Sequence, residues 1–530
     1  MATLRSPESD FSNPHPHSHW RWLGIVVLTL LLGACKMGPD YVRPENDAPA
    51  AFKEAENWKP AEPAAHLDRG AWWTLYHDPQ LDALQAQLGS GNLNVRIAES
   101  QFRQAQAALA GSRAGLFPSL GASAGETRSQ PADPLTGLNR TPIQLPEQRF
   151  GPFGALRIRP PAIAPPEIDF NPRTQYNLGL SSSWEIDLWG RVRRQVEANT
   201  ADLAASAADL QSMRLSMQAQ LAQLYFTLRV NDTLQAKLRE SVAAYEQSLR
   251  VTENRYKGGV TSRADVLQAK TQLRSTQAQA TDLQVQRAQL EHAIAVLIGK
   301  PPAQFSLAPS PLVDPVIPVV PAGLPSALLE RRPDIAAAER RMAAANAQIG
   351  VAKAAYFPSL TLSASGGYQG TSLGDLISLP HRFWSIGPRM ALSLFDGGLR
   401  DSQVDQAKAI LDATAGSYRL VVLGGFQEVE DQLAALRILE EEARTQAEAE
   451  DLARQSLQLT TNQYKAGVVS YLNVVTAQTI LLESERTRTA LVGQQLGASI
   501  DLIRALGGTW SSGAEKAPAR ADVDSARKSP

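Results

Sequence analysis

The chain has 530 residues, 43% hydrophobic and 20% charged, with a formal net charge of −1. Such a length ordinarily divides into several domains, each with its own core. The balanced charge, without a basic patch interleaved with aromatics, gives no reason to expect nucleic acid as a partner. Aromatics make up 6% beside abundant Ala and Gln, which favours helix-on-helix packing over one large mixed core.

The single cysteine, Cys35, rules out an intramolecular disulfide. It closes a segment in which Arg21 precedes an apolar run, Leu23 to Leu32, followed by Gly33-Ala34. The run is too short for a transmembrane helix, and its basic flank and small-residue end match a secretory signal. Leu-Gly-Ala-Cys looks like a bacterial lipobox. Residues 1–34 are therefore expected to be a lipoprotein signal peptide, and Cys35 the acylated first residue after cleavage. Lys36 follows, where an aspartate is absent, which resembles the pattern of lipoproteins sorted to the outer membrane. His15, His17 and His19 alternate as metal ligands could, but they lie ahead of the cleavage point. No metal and no cofactor are expected.

Residues 35–70, rich in Pro, Ala and charge, read as a lipidated N-terminal tether or surface wrap. A helix is expected to start at Asp78-Pro79, and another to run from Asn92 to Arg113 with Ile97, Phe102 and Leu109 on one face. Phe117-Pro118 ends it. Leu120, Ala122 and Ala124 then alternate with Ser119, Gly121 and Ser123, the signature of a strand. Residues 130–173 hold many prolines and no periodicity, and read as a long exposed loop.

The clearest strand is Tyr176 to Trp189. Tyr176, Leu178, Leu180, Trp184, Ile186 and Leu188 share one face, while Asn177, Gly179, Ser181, Ser183, Glu185 and Asp187 share the other. Its length suits a tilted strand crossing a bilayer. From Arg191 to Tyr256 there is no proline or glycine, and Leu203, Ala207, Leu210, Met217, Leu221, Leu224 and Leu228 follow coiled-coil spacing. At about 1.5 Å per residue this helix reaches roughly 100 Å. Gly258-Gly259-Val260 turns the chain into a second helix, Ser262 to Leu297, and a Pro-rich segment follows to about Pro321.

The pattern then repeats. RAGLFPSL (113–120) recurs as KAAYFPSL (353–360), DLWGR (187–191) as DGGLR (396–400), and NRYKGGVTSRADV (254–266) as NQYKAGVVSYLNV (462–474). A first structural repeat thus covers 71–322, with a β-hairpin at 117–190 and a helical hairpin at 191–299. A second covers 323–510, with a β-hairpin at 357–397 and a helical hairpin at 398–508. The tail, 511–530, loses the apolar pattern and is expected to be disordered. In the second repeat Leu360, Leu362, Ala364 and Tyr368 oppose Thr361, Ser363, Ser365 and Gln369, while Trp384, Ile386, Met390, Leu392 and Leu394 oppose Ser385, Gly387, Arg389 and Ser393.

In hydrocarbon every backbone group needs a partner, so strands cross only in closed barrels. Four strands per chain are too few for the smallest barrels of about eight, so copies must share one. The wet faces would line a lumen and the oily faces would meet lipid. Paired carboxylates such as Glu428, Glu430 and Asp431 fit a solvated helix face, so no enzyme is expected.

WWTLYHDPQLDAL, the two FPSL segments, SWEIDLWGR, RRPD (331–334), LFDGG (394–398) and the two YKxGV turns together resemble the outer-membrane efflux proteins. These are the TolC-like channels, and the likeness is to the OprM-like lipoprotein subgroup. It covers Cys35 to Trp510. The resemblance implies a membrane α+β fold: a homotrimer whose chains each give four transmembrane strands to a twelve-stranded barrel, continued by a coiled-coil α-helical barrel. It implies a passive conduit for drugs or small toxic compounds, in outer-membrane lipid. The partners would be a periplasmic adaptor and an inner-membrane transporter of the RND type. A type I protein secretion channel and a non-pore coiled-coil lipoprotein are the alternatives. By resemblance, the periplasmic gate involves Tyr464, Leu472, Asn473 and Thr476, with Leu472 as the narrowest point. Asn473 and Thr476 stand where relatives have a charged ring. Asp265 matches a residue that hydrogen-bonds the gate tyrosine, so an Asp265–Tyr464 latch is expected, against the simpler role of a helix cap. Gly258, Gly259, Val260 and Ala466, Gly467, Val468 form the expected adaptor-docking tips.

Overall fold

The structure, a computed structural model, describes residues 36–43, 52–53, 71–130, 147–150, 156–158, 171–312, 315–318 and 331–508. The expected signal peptide with its three histidines, Cys35 and the expected disordered tail lie outside these residues. The helices are α1 (Pro79–Gly91), α2 (Leu93–Ala114), α3 (Arg191–Lys257), α4 (Arg263–Leu297), α5 (Pro333–Ala354), α6 (Leu399–Lys465) and α7 (Tyr471–Ala505). The strands are β1 (Ser119–Ser129), β2 (Gln148–Phe150), β3 (Leu156–Ile158), β4 (Arg173–Ile186), β5 (Ser359–Gly370) and β6 (Arg382–Ala391). The duplication is visible in the lengths. Both α2 and α5 have 22 residues, α3 and α6 both have 67, and α4 and α7 both have 35.

The chain divides into two compact units, and each draws on both sequence repeats. One contains Met37, Gly111–Arg193 and Val351–Arg400; the other contains the described residues of Gly38–Ala110, Arg194–Gly350 and Asp401–Pro530.

The first unit holds an antiparallel sheet in the order β1-β4-β5-β6. Its register is unbroken along all three pairings, so parity assigns every side chain to a face. One face collects Leu120, Ala122, Leu178, Leu180, Trp184, Leu362, Trp384, Ile386 and Met390. The other collects Ser119, Gly121, Ser123, Asn177, Ser181, Ser183, Thr361, Ser363 and Ser365. Large apolar side chains on the oily face lie open, with Leu120 at 76% and Trp384 at 73% exposure. Among the described residues, both outer strands, β1 and β6, have one edge without a strand partner. Connections to helices leave one end of the sheet, and β1 and β5 finish at the other, the loop side, where β4 and β6 begin.

Three sequence readings need correction. Leu188 and Trp189 are not strand: β4 ends at Ile186 because Asp187 turns to cap α3, accepting from the amides of Val192 (3.2 Å) and Arg193 (2.9 Å). Likewise β6 ends at Ala391, short of Leu392 and Leu394, ahead of Asp396, which accepts from the Gly398 amide at 3.1 Å. The long loop is also not wholly irregular. β2 and β3 pair antiparallel within it, over three residues each, too short to leave a periodic trace.

The second unit is a helical assembly. Its largest core gathers Trp72 and Tyr76, Leu81, Leu84 and Leu88 of α1, Leu221, Tyr225 and Leu228 of α3, Ile294 of α4, Val429 and Leu433 of α6, and Leu496 and Ile500 of α7. Phe52 from the N-terminal segment is 4% exposed in the same core. Nearer the start of that segment, Arg194, 1% exposed, donates to the Gly38 carbonyl at 2.9 Å and to Asp40 at 3.1 Å. Asn346 donates to the Pro39 carbonyl at 3.0 Å. The wrap predicted for 35–70 is, where described, fastened to α3 and α5 by buried polar groups rather than laid loosely on them.

Candidate functional site

No group of three or more His, Cys, Asp or Glu among the described residues is placed to hold a metal ion. No described helix is long and apolar enough to cross a membrane. The chemistry to be explained lies in the sheet faces and in the two helix-hairpin turns.

Both turns close by the same backbone device. At the end of α3 the Val260 amide donates to the Arg255 carbonyl (2.9 Å) and the Gly259 amide to that of Tyr256 (3.0 Å). At the end of α6 the Val468 amide donates to Gln463 (2.9 Å) and the Gly467 amide to Tyr464 (3.0 Å). Gly259 and Gly467 take φ of +74° and +79°, the left-handed conformation this motif needs, which explains glycine at each. Gly258, Gly259, Val260, Ala466, Gly467 and Val468 are all exposed, so each tip presents a small apolar surface.

The expected latch is not made within the chain. Asp265 completes a capping box at the start of α4: its carboxylate accepts from the Ser262 amide at 3.1 Å, and its own amide donates to Ser262 Oγ at 3.2 Å. It also accepts from the Thr261 hydroxyl. Burial acts upward on this carboxyl, but the bonds from Thr261 and Ser262 outweigh it and hold the group below the ordinary carboxylate value. Tyr464 instead donates to Thr252 Oγ1 on α3 at 3.4 Å. The helix-cap role is the one Asp265 performs, because its carboxylate is already engaged three residues from the turn.

What binds the second tip comes from the first hairpin, chiefly α3. Tyr464 and Tyr471 meet edge to face, 5.3 Å between centroids, in a cluster with Ala269 and Val474. The Tyr471 hydroxyl pairs with Ser248 Oγ at 3.0 Å. The Arg255 guanidinium lies 4.9 Å from the centre of the Tyr464 ring and donates to the Lys465 carbonyl at 2.9 Å, capping the end of α6 from a neighbouring helix. Burial pushes the Tyr471 hydroxyl's pKa above its ordinary value. Ser248, Thr252, Arg255 and Tyr471 were not singled out by sequence. Their signal is the spacing of four then three along α3, aimed at two tyrosines seven residues apart. Leu472, Asn473 and Thr476 share an exposed face of α7, away from this cluster. Thr476 Oγ1 donates to its own helix at the Leu472 carbonyl, 3.0 Å.

In the sheet unit, Trp189 stacks on Phe357 at 4.8 Å and donates to the Pro358 carbonyl at 2.8 Å, joining the two repeats at the helix end of the sheet. A cavity of about 300 Å³ beside it is lined by Glu185, Trp189, Arg191, Phe357 and Leu392. Its charges are engaged with each other, since Arg191 grips Glu185 through two bonds of 2.9 and 2.6 Å. One side chain breaks the facial pattern. Phe383 is the single large apolar residue on the wet face among the described residues of β1, β4, β5 and β6. Its ring reaches over Gly367 toward Gly179, where an added Cβ would lie 3.6 Å from Cζ.

A sheet with one oily and one wet face, joined to duplicated helices of 67 and 35 residues, defines a class of outer-membrane channel. The profile of the outer membrane efflux protein family matches residues 84–300 and 324–508, and the chain belongs to that family. It is 30% identical to the probable efflux pump outer membrane protein TtgC of Pseudomonas putida over 508 residues, 95% of this chain and 98% of the relative. It is 29% identical over 494 residues to the outer membrane protein OprJ of Pseudomonas aeruginosa, 92% of this chain and 96% of that one. Among solved structures, the outer-membrane channel OprN superposes with a TM-score of 0.76 at 30% identity, over 90% of this chain and all of the other. The chain is an outer-membrane efflux channel protein.

Proposed function

We propose that three copies of this chain close a twelve-stranded barrel in the outer membrane, and that the long helices continue it as an α-helical tube into the periplasm. The observation that carries this reading is the sheet: a continuous oily face and two unpaired edges cannot persist in hydrocarbon unless further strands complete the ring. Acylation at Cys35 anchors each chain. The exposed tips at Gly258–Val260 and Ala466–Val468 receive a periplasmic adaptor, which couples the channel to an inner-membrane transporter of the RND type. Leu472, Asn473 and Thr476, on the exposed face of α7, narrow the periplasmic end, with Tyr464 holding α6 behind them. No reacting group is needed, because the transporter supplies the energy and the channel supplies a wet path. Drugs and small toxic compounds, some of them apolar, are the cargo.

Two measurements test this. Outer-membrane extracts should contain a species that migrates as a trimer unheated and as a monomer after boiling. Deletion of the gene should lower the inhibitory concentration of at least one small toxic compound. A monomer at every temperature overturns the barrel. Unchanged sensitivity across a broad panel, with loss of a secreted protein, moves the cargo from drugs to protein.

A further inference from the structure

The oily face does not end evenly at the loop side of the sheet. Moving from β6 to β1, one strand over and two residues outward at each step, the register gives Trp384, Tyr368, Tyr176 and Arg128 on this face. Barrel strands tilt by roughly 35–45°, so a line level with the membrane crosses neighbouring strands at displaced positions of this kind. Three aromatics in one slanted row mark the level where amphipathic rings sit between hydrocarbon and headgroups. Arg128 closes that row, and Arg382 stands one same-face position beyond Trp384. Both arginines are exposed, and neither has an ion-pair partner among the described residues. The one carboxylate on the face, Glu126, lies two residues inward of Arg128.

An unpartnered guanidinium facing lipid is costly in hydrocarbon, but it is well placed at the headgroup level, where it can grip phosphate oxygens in a bidentate fork. Arg128 is on β1 and Arg382 on β6, the two strands with raw edges. In a closed ring β6 of one copy adjoins β1 of the next, so each seam receives one arginine from each side. We propose that these two residues form a binding site for the phosphorylated headgroup of an outer-leaflet lipid, three per trimer, seated over the seams. This rests on the trimeric barrel proposed above. The lipid shields the least protected edges and ties adjacent copies together through charge.

The test uses full-length trimer in detergent, with bound lipid counted by native mass spectrometry after addition of purified lipid A or its dephosphorylated form. Wild-type protein should retain up to three lipid A molecules per trimer, and the dephosphorylated form roughly tenfold less strongly, as expected when basic contacts to an anionic surface are lost. Arg128→Gln with Arg382→Gln should reproduce that loss. Lysine at both positions should restore most of the binding, and Arg389→Gln, on the wet face, should change nothing. Equal retention by the double glutamine variant, or retention indifferent to phosphate, overturns the site. Full displacement by millimolar inorganic phosphate overturns the assignment to lipid. Heat-modifiable migration is read on the same samples. A trimer that forms without phosphate-dependent binding sinks this site alone, while a chain that never trimerises sinks the barrel with it.

Discussion

The two helix-hairpin tips descend from one duplicated sequence and share one backbone turn, yet different side chains hold them. The first tip looks after itself: Asp265 and Ser262 cap α4 in a reciprocal box. At the matching place in the second tip stands Asn473, and Ser470 makes no side-chain cap to the α7 backbone. The tyrosine of the shared motif is 46% exposed in the first copy, as Tyr256, and 6% exposed in the second, as Tyr464. Arg263 opens α4 where Tyr471, fully buried, opens α7. The second tip is therefore fixed by α3 of the first hairpin rather than by its own cap. Backbone symmetry survived duplication, and mechanical symmetry did not. In the gate proposed above, the second hairpin is the one expected to swing, because its restraints are side-chain contacts that can be exchanged.

This contrast can be broken most forcefully at Tyr471. Tyr471→Ala removes a buried ring and its hydroxyl, and should cost about 3–4 kcal/mol of local stability. Hydrogen exchange at the amides of Val474 to Gln478 should accelerate and single-channel conductance should rise, while the counterpart Arg263→Ala should shift exchange by less than about 0.5 kcal/mol. Equal loosening by the two would erase the asymmetry. Next is Arg255→Ala, which removes a cation–ring contact and a charged bond to the Lys465 carbonyl. A loss of roughly 1.5–3 kcal/mol is expected at the second tip, read by the same exchange and conductance.

A smaller effect comes from exchanging caps. Asp265→Asn should weaken the first tip by about 0.5–1 kcal/mol, and Asn473→Asp should strengthen the second by a few tenths. The pH dependence follows the same line. The Asp265 pKa lies below its ordinary value in the fold, so its stabilisation is present above the unfolded carboxylate pKa and is lost as pH falls through the folded one. Exchange at the first tip should quicken below about pH 4, and Asp265→Asn should abolish that change. Least in stability is Leu472→Ser. It lies on an exposed face, so a change under about 0.5 kcal/mol is expected, yet conductance should alter if this residue lines the narrow end.

The strands were legible because period two survives tertiary context when a whole face meets one medium. Leu178, Leu180, Trp384 and Ile386 fall on the face that alternation assigns them. Strand ends were less legible, since Asp187 and Asp396 carry information about the following helix that outweighs the alternation around them. The tip residues divide in the same way. Glycines that need positive φ announced themselves at 259 and 467, but Asp265 is equally suitable as a cap and as a latch, and only geometry decides between them. Arg255, Ser248 and Thr252 were hidden because a long helix with coiled-coil spacing offers many polar positions, and the chosen ones depend on which neighbour lies opposite. Phe383 was hidden by its own strand, where the apolar series Trp384, Ile386 and Met390 draws the eye to the other parity.

The raw margins of β1 and β6 set a condition on biogenesis. A lone chain has no resting place in oil, since half the amides and carbonyls along each margin would be left without a mate. In the trimeric barrel proposed above, insertion and union with sister chains are then a single event. Output of finished pores should fall more steeply than in proportion when synthesis is throttled.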